Sequence, residues 1–368
     1  MEFIPLSKPN ITDKDLQQVE SVIRSGMLVQ GKYVTELEKT FEQYNNLIHA
    51  SALSNGTVTL HLALKILGIK QGDEVIVPAF SYVATANVVE HVGATPVFVD
   101  IDLNTFNIDV GRIENAITSK TKAIIPVHEF GLSCDIDAIN IIAKKYKLFI
   151  IEDAACALGA SYKGQLVGTF GDLASFSFHP RKAITSGEGG VLLTKDAAYD
   201  RKIKQLRNHG IEVMDGKMDF IEFGYNYRMT DFQAAMVLSQ MDRLQKGILH
   251  KQKLSKLYQQ KLDQNKLILP VVPSYANHTW QTYHVIVRGG INRDTLIEKL
   301  KQHKIGTNYG AQCIPHVTAY QMKYKLDCKK LFPNAFTAYM QGLALPMYDL
   351  LNEQQIDYIS KTVNKLIE

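Results

Sequence analysis

The chain has 368 residues, of which 46% are hydrophobic and 21% are charged, values that are typical of a folded globular protein and exclude long disorder. Its 41 lysines and arginines against 37 acidic residues leave a net charge of +4, too small to indicate a nucleic-acid partner or a membrane surface. The length predicts roughly two domains. The first residues lack the pattern of a signal peptide, and the few cysteines favour a reducing, cytoplasmic location.

Short apolar segments alternate with helical patterns through the first half of the chain. The apolar segments are rich in β-branched residues and predict strands at 74–78, 95–100, 122–126, 148–153, 174–178 and 190–194. Helices are predicted at 57–67, 82–91 and 136–146. Apolar strands separated by helices are typical of a mostly parallel sheet covered on both faces, so the predicted fold class is α/β.

The pattern changes after Asp231. Residues 231 to about 262 predict one or two long amphipathic helices, followed by a strand at 283–288 and a helix at 293–303. We therefore predict a large domain at 1–245 and a smaller C-terminal α+β domain at 246–368.

No metal site is predicted from the sequence. The four cysteines (Cys134, Cys156, Cys313 and Cys328) include no pair at the spacing of a zinc site. His128 and Glu129 are not followed by a second histidine at the spacing of zinc proteases.

Polar residues stand where predicted strands end, and ligands of open parallel sheets bind at that edge. The small residues at 54–57 open a helix whose N-terminus favours an anion such as phosphate, although ordinary helix capping explains them as well. Asp153 ends an apolar strand, where a carboxylate needs a cationic partner such as a protonated pyridine nitrogen. A helix cap or a structural acid is the alternative for Asp153.

Lys182 stands between the strand at 174–178 and a glycine-rich turn. Most lysines are solvated surface groups, but one that is shielded from water can form a Schiff base with an aldehyde cofactor. Phe80 and Tyr82, at another strand end, supply an aromatic ring that either stacks on a flat ligand or packs in the core. An anion site, a ring-nitrogen partner, a Schiff-base lysine and an aromatic ring are together what pyridoxal 5′-phosphate requires.

In their order and spacing these segments resemble the DegT/DnrJ/StrS family of nucleotide-sugar aminotransferases, pyridoxal-phosphate enzymes of fold type I. The resemblance extends over nearly the whole chain and implies a large domain with a mostly parallel sheet of the seven-stranded type. The segments that carry it are residues 54–57, 78–85, 152–159, 175–182, 187–190, 207–210 and 224–230.

The resemblance also implies roles for single residues. Lys182 matches the lysine that binds the cofactor covalently, Asp153 the partner of the pyridine nitrogen, and Tyr82 the aromatic stacked on the ring. Asn226 matches a residue that reaches the phosphate from the neighbouring subunit, which implies a homodimer with shared sites. The phosphate-binding positions of the family are matched by Gly56, Thr57 and Ser177.

Cys156 departs from the family pattern, which usually has Gln or His beside the phenolic oxygen of the cofactor. A thiol is a weak donor and is expected to hold that oxygen less firmly, unless Cys156 is only a small buried filler. His316 and Tyr320 match a stretch in which family members meet the substrate, and a structural role is the alternative for each.

The function implied by the resemblance is transfer of an amino group, with glutamate as the donor, to a keto group of a nucleotide-linked sugar in amino sugar or polysaccharide biosynthesis. One alternative is a pyridoxal-phosphate sugar dehydratase, a branch in which histidine replaces the Schiff-base lysine. Another is a non-catalytic regulatory member of the fold. Lys182 argues against the first, and the presence of both Lys182 and Asp153 argues against the second.

Overall fold

The computed structural model describes residues 2–45, 49–288 and 290–368. Its helices are α1 (Asp13–Ser25), α2 (Lys32–Tyr44), α3 (Gly56–Ile66), α4 (Ala84–His91), α5 (Val110–Ile113), α6 (Ile136–Tyr146), α7 (Ala197–Leu206), α8 (Asp231–Lys261), α9 (Arg293–Gln302), α10 (Thr318–Tyr324), α11 (Cys328–Leu331), α12 (Pro333–Gln341) and α13 (Glu353–Ile367). Its strands are β1 (His49–Leu53), β2 (Glu74–Pro78), β3 (Phe80–Ser81), β4 (Thr95–Val99), β5 (Thr121–Ile124), β6 (Phe149–Asp153), β7 (Ser161–Tyr162), β8 (Gln165–Leu166), β9 (Leu173–Ser177), β10 (Gly190–Thr194), β11 (Ile211–Met214), β12 (Lys217–Phe220), β13 (Leu267–Ile268), β14 (Ala276–Asn277), β15 (Tyr283–Val287), β16 (Gln312–Cys313) and β17 (Gly342–Leu345).

The central sheet of the described residues has seven strands in the order β1-β10-β9-β6-β5-β2-β4. Five of them, from β9 to β4 in this order, pair in parallel, whereas β10 runs antiparallel to both of its neighbours, β9 and the edge strand β1. Helices such as α3 and α6 cover the sheet, and their apolar residues join those of the strands in the core. The predicted α/β fold with a mostly parallel sheet is therefore confirmed.

Local sequence explains most of these elements. The valine and isoleucine runs of β2 and β6 suit a strand that is buried on both faces. Helix α6 begins after Asp135, whose side chain accepts a hydrogen bond from the Ala138 N–H, and it ends at Lys147 in the left-handed conformation. Strand β1 was not predicted because its residues, His-Ala-Ser-Ala-Leu, have weak strand propensity; pairing with β10 overrides that propensity.

The C-terminal part contains a small antiparallel sheet, β13-β15-β17. Apolar residues of β15, β17, α9 and α13 form its core, which Ile4 from the N-terminal segment also joins. The predicted long helical region is a single helix, α8, of 31 residues. Its first half packs with α2 and its second half packs in the C-terminal core, so α8 runs through residue 245. The division into domains at that residue stays a prediction.

The described residues contain neither a membrane-spanning helix nor a metal-binding cluster. No helix there is long and apolar enough to cross a membrane. No group of three or more His, Cys, Asp or Glu side chains in the same part of the chain is placed to hold a metal ion.

Candidate active site

The carboxyl edge of the central sheet brings the predicted site residues together. Asp153 is the last residue of β6, and β9 lies beside it in parallel, with Asp153 opposite Ser175. Lys182 follows β9 in the loop that leads to β10, and Gly56 begins α3 directly after β1. The parallel register of β6 and β9 therefore places the loops that carry Asp153 and Lys182 at one edge.

The start of α3 forms a cup suited to an anion. Asn55 caps the helix, because its side chain accepts a hydrogen bond from the Val58 N–H at 3.0 Å, so the capping role does occur. The first N–H groups of a helix have no partner within it and favour negative charge. A Cβ on Gly56 would lie 2.8 Å from the Cβ of Ser177, so only glycine lets this helix start approach β9 so closely. Gly56, Thr57 and Ser177 thus fit a phosphate group.

Lys182 lies inside the site, with its side chain half-buried. Its Nζ donates a hydrogen bond to the Cys156 Sγ at 3.0 Å, and its backbone N–H donates to the His179 carbonyl at 2.8 Å. Burial raises the pKa of the Cys156 thiol, although the charge of Lys182 opposes this effect. The lysine nitrogen therefore has a neutral, weakly bound partner and remains available to a ligand.

Asp153 is a buried carboxylate with few partners, since 5% of the residue is exposed. One oxygen accepts a hydrogen bond from the Thr85 hydroxyl at 2.8 Å, and the other from the Ala155 N–H at 3.2 Å. Burial raises the pKa of Asp153, against the lowering effects of these donors and of the Lys182 charge. A cation brought to this carboxylate, such as a protonated pyridine nitrogen, would offset the cost of its burial.

Glu129 is a site residue that sequence reasoning missed. It is 4% exposed, and its Oε2 atom has no hydrogen-bond partner among the described residues. Burial and the charge of Asp153 raise the pKa of Glu129 to about 8, whereas Lys182 acts to lower it. A weak signal was present in the sequence, because Glu129 lies in the loop that follows β5, whereas Asp153 is itself the last residue of β6.

The two aromatic candidates, Phe80 and Tyr82, differ in burial. Phe80 is fully buried and packs against Phe106 and Phe130 with ring centroids 6.2 and 6.1 Å apart. Tyr82 is 66% exposed, so core packing is wrong for this residue. Phe80 therefore belongs to the core, and the ring of Tyr82 is open to a ligand.

The remaining predicted residues lie in different settings. Asn226 is exposed on the segment after β12, where its backbone pairs with Asn208. Tyr320 is buried, and its hydroxyl donates to the Asn87 side chain at 2.7 Å, which supports the structural alternative. His316 is exposed, with its ring centroid 5.2 Å from that of Phe336. Substrate binding by His316 and Tyr320 stays a prediction.

Comparison with known proteins agrees with this geometry. The model of the DegT/DnrJ/EryC1/StrS aminotransferase family matches residues 9–364. GDP-perosamine synthase from Escherichia coli O157:H7 is 37% identical, covering 99% of this chain and 99% of its own length. The UDP-4-amino-4-deoxy-L-arabinose–oxoglutarate aminotransferase of Shewanella sediminis is 36% identical, covering 100% of this chain and 98% of its own length. The PLP-form of Streptococcus pneumoniae Spr1654 superposes with a TM-score of 0.94 at 31% identity, over 99% of this chain and 98% of that one.

The residues at the carboxyl edge fit the cofactor of these proteins, because they combine an anion-favouring helix start, a buried carboxylate and a lysine amine. The chain therefore belongs to the DegT/DnrJ/EryC1/StrS aminotransferase family, and it is a pyridoxal-phosphate-dependent aminotransferase of fold type I.

Proposed function

We propose that the protein moves an amino group from glutamate to a keto group of a nucleotide-linked sugar, with Lys182 and Asp153 as its catalytic residues. The observation that carries this proposal is that the Lys182 Nζ lies 3.0 Å from the Sγ of Cys156, which follows the buried Asp153 by three residues. The names of two relatives support these substrates. One name includes a GDP-linked sugar, and the other includes a UDP-linked sugar and oxoglutarate, the keto acid that glutamate becomes.

Lys182, Asp153 and Thr85 have separate roles in the proposed reaction. When bound, the cofactor supplies an electron-withdrawing ring that takes up the negative charge developing at the substrate carbon. Lys182 anchors the group and, once its Nζ is free, takes a proton from the substrate α-carbon and later returns one, first as general base and then as general acid. Asp153 keeps a proton on the ring nitrogen, and the Thr85 hydroxyl fixes one Asp153 oxygen in place.

We also infer a homodimer in which Asn226 completes the phosphate site of the partner subunit. Large apolar side chains are exposed on the β11–β12 hairpin and just after it, and Phe223 is 99% exposed. Exposed apolar residues clustered in this way are typical of a protein–protein interface. Asn226 is exposed three residues after Phe223, and its closeness in sequence to this apolar surface supports the inferred role across the interface.

The central experiment follows the absorbance of the cofactor-loaded protein. Adding glutamate is expected to remove the visible band of the lysine-bound cofactor and to produce the near-ultraviolet band of its amine form. Lys182→Ala should abolish covalent attachment and turnover, whereas Lys246→Ala, which changes an exposed lysine of α8, should leave both unchanged. Transamination retained by Lys182→Ala contradicts the proposal.

The products separate the alternatives. Incubation with glutamate and a panel of keto nucleotide sugars, followed by mass spectrometry, should yield an amino sugar and 2-oxoglutarate. Release of water and ammonia would favour the dehydratase, and a cofactor band that glutamate leaves unchanged would favour a non-catalytic protein.

Mixing two inactive variants tests the shared site. If Asn226 acts across the interface, half of the randomly reassorted dimers of Lys182→Ala and Asn226→Ala contain one intact site. Activity should then return to about a quarter of wild type. A mixture that stays inactive, although dimers exchange subunits, contradicts sharing through Asn226.

A further inference from the structure

The loop that carries Lys182 is held at two points by glutamine side chains from distant parts of the chain. Residues 178–189 connect β9 to β10, and Lys182 lies near the middle of this loop. Gln281 contacts the loop one residue before Lys182, and Gln240 contacts it three residues after Lys182. Both glutamines are buried, with 9% and 3% of the residue exposed, so water does not compete for these hydrogen bonds.

Gln240, on α8, pairs with both backbone groups of Thr185. Its Nε2 donates to the Thr185 carbonyl at 2.6 Å, and its Oε1 accepts from the Thr185 N–H at 3.1 Å. The Nε2 atom also donates to the Met236 carbonyl at 2.7 Å, one turn earlier in α8, which fixes the orientation of the amide. Because both protons of the Nε2 group and the Oε1 atom are used, α8 holds this end of the loop in one position.

Gln281 holds the other side of Lys182. Its Nε2 donates to the Arg181 carbonyl at 2.9 Å, and its Oε1 accepts from the Thr282 hydroxyl at 2.9 Å. The Arg181 carbonyl belongs to the peptide unit that joins Arg181 to Lys182. The N–H of the same unit donates to the His179 carbonyl at 2.8 Å, within the loop, so Gln281 connects this unit to another part of the protein.

Gln281 is itself fixed in a segment, residues 278–282, that crosses the turn after β5. The Thr279 N–H donates to the Gly131 carbonyl at 3.0 Å, and the Gln281 N–H donates to the Phe130 carbonyl at 2.9 Å. A Cβ on Gly131, which has φ of 97°, would lie 2.3 Å from the Thr279 hydroxyl oxygen. The segment therefore approaches the turn at a position that requires glycine.

Trp280 anchors this segment in the C-terminal core. It has φ of 54°, a left-handed conformation that is costly for a bulky residue and persists only where the surroundings enforce it. Its ring stacks on those of His278 and Tyr283, with centroids 3.9 and 5.3 Å apart. The ring of Trp280 is thus buried among C-terminal core residues, while the next side chain, Gln281, reaches the Lys182 loop.

We propose that Gln240 and Gln281 are positioning residues that hold the Lys182 loop on both sides, so that the lysine amine keeps the geometry that its proton transfers need. This inference rests on the proposed role of Lys182 as the base that takes a proton from the substrate carbon. A base must lie within hydrogen-bond reach of that proton, and a misplacement of about 1 Å can slow a reaction by about 100-fold. Through these two glutamines, α8 and the segment at 278–282 act on the chemistry at the edge of the sheet.

The main test compares methionine variants of three glutamines in the cofactor-loaded protein. Methionine has nearly the length of glutamine but donates no hydrogen bond, so Gln240→Met and Gln281→Met release the loop. Gln259→Met is the matched control, because the Gln259 amide also donates to a backbone carbonyl, that of Pro270 at 2.8 Å, outside the Lys182 loop. In single turnovers with glutamate, the first two variants should convert the visible band about tenfold more slowly than wild type, and the control should match wild type.

An isotope effect separates positioning from a general loss of structure. A misplaced base makes proton removal slower relative to the other steps. The ratio of rates for ordinary glutamate and glutamate deuterated at its α-carbon should therefore be larger in Gln240→Met and Gln281→Met than in wild type. Partial unfolding lowers the amount of protein converted and leaves this ratio unchanged. A slower conversion with an unchanged ratio would thus assign the effect to structure and overturn the inference, as would rates and ratios that match those of Gln259→Met.

Failure of the proposed function is distinguishable from failure of this inference. A wild-type band that glutamate leaves unchanged refutes the proposed function. The rate at which added pyridoxal phosphate forms the band with the cofactor-free chain then decides. Slower formation in Gln240→Met and Gln281→Met than in Gln259→Met supports the inference, and equal formation overturns it.

A milder variant covers the case in which the methionine variants do not fold. Thr282→Val removes the hydroxyl that orients the Gln281 amide, so the loop is released only in part. Conversion of the visible band by glutamate should then slow by a smaller factor than the tenfold expected for Gln281→Met. A rate equal to that of wild type overturns the inference.

Discussion

Two consecutive acids at the end of β6, Glu152 and Asp153, occupy opposite environments. Successive residues of a strand point to opposite faces, so one acid enters the scaffold and the other enters the active site. Glu152 is fully buried and accepts four hydrogen bonds, whereas Asp153 accepts two. The donors to Glu152 are the His128 Nε2 at 3.0 Å and the backbone N–H groups of Gly168 at 2.7 Å, Phe170 at 2.8 Å and Gly171 at 2.7 Å.

The histidine partner of Glu152 is held in one tautomer. The Cys134 N–H donates to the Nδ1 atom of His128 at 3.1 Å, so the ring proton lies on Nε2 and points to Glu152. Burial by itself would raise the pKa of Glu152, but His128 and the backbone donors together lower it. The pKa of Asp153 is raised instead.

The difference between these neighbours shows how the fold separates stability from function. A carboxylate whose lone pairs are all used holds the loop at 168–171 against β6 and has nothing left for a ligand. A buried carboxylate that accepts few hydrogen bonds lowers the stability of the cofactor-free protein. The same carboxylate binds a cation strongly, because the cation offsets the cost of burying its charge. We therefore expect substitutions of Glu152 to affect folding and those of Asp153 to affect turnover.

Between these two neighbouring acids, the larger effect on turnover is expected for Asp153→Asn. The amide cannot keep the ring nitrogen protonated, so kcat should fall by about 10²–10³-fold. The free energy of unfolding should change by less than about 1 kcal/mol, because a neutral amide replaces a poorly solvated carboxyl. Steady-state kinetics and urea unfolding at pH 7 measure both quantities. A variant that unfolds readily but keeps kcat would break the comparison.

Glu152→Gln should give the converse result. The glutamine NH₂ group cannot accept a hydrogen bond, so the donors that faced one carboxylate oxygen lose their acceptor. This loss should lower the free energy of unfolding by about 3 kcal/mol. The kcat of the folded fraction should stay near that of wild type. Urea unfolding with an active-site titration by pyridoxal phosphate separates the two effects, and unchanged stability would contradict the scaffold role.

The pH dependence of stability distinguishes the two acids, because their contributions to the free energy of unfolding change in opposite directions as pH rises. The pKa of Glu152 is lowered from 4.5, so its contribution is present above that pH and is lost as pH falls through the folded-state value. The pKa of Asp153 is raised from 3.8, so its contribution is present below that pH and is lost as pH rises. From pH 4 to pH 7, thermal unfolding should show Glu152→Gln losing stability relative to wild type and Asp153→Asn gaining it. If the stability of both variants relative to wild type changed with pH in the same direction, the different roles of Glu152 and Asp153 would be contradicted.

The smallest effect is expected for Cys156→Ser. The hydroxyl can still accept the hydrogen bond that the Lys182 amine now donates to sulfur at 3.0 Å. We expect less than about a tenfold change in kcat, together with a shift of the visible band. Absorbance spectra and steady-state kinetics at a single pH measure both changes. A fall in kcat as large as that of Asp153→Asn would contradict the minor role expected for Cys156.

Sequence reasoning predicted six of the seven strands of the central sheet, because buried strands are nearly continuous apolar runs, and it missed β1 and most of the short strands outside this sheet. It found Asp153 and Lys182 because both follow such runs at the edge where ligands bind. The residues alone did not decide whether Tyr82 packs in the core, since burial depends on the pairing of β3 with β16 and the surrounding packing; the family resemblance assigned its ring to the cofactor. Sequence reasoning missed Glu129 because the environment of that residue depends on Asp153 and Lys182, which are distant in sequence.

The most direct measurement is to reduce the cofactor-loaded protein with borohydride and locate the attached group by peptide mass spectrometry. We expect a phosphopyridoxyl group on the peptide that contains Lys182, present in wild type and Asp153→Asn and absent in Lys182→Ala. Attachment at another lysine, or none in a protein that still transaminates, would contradict it.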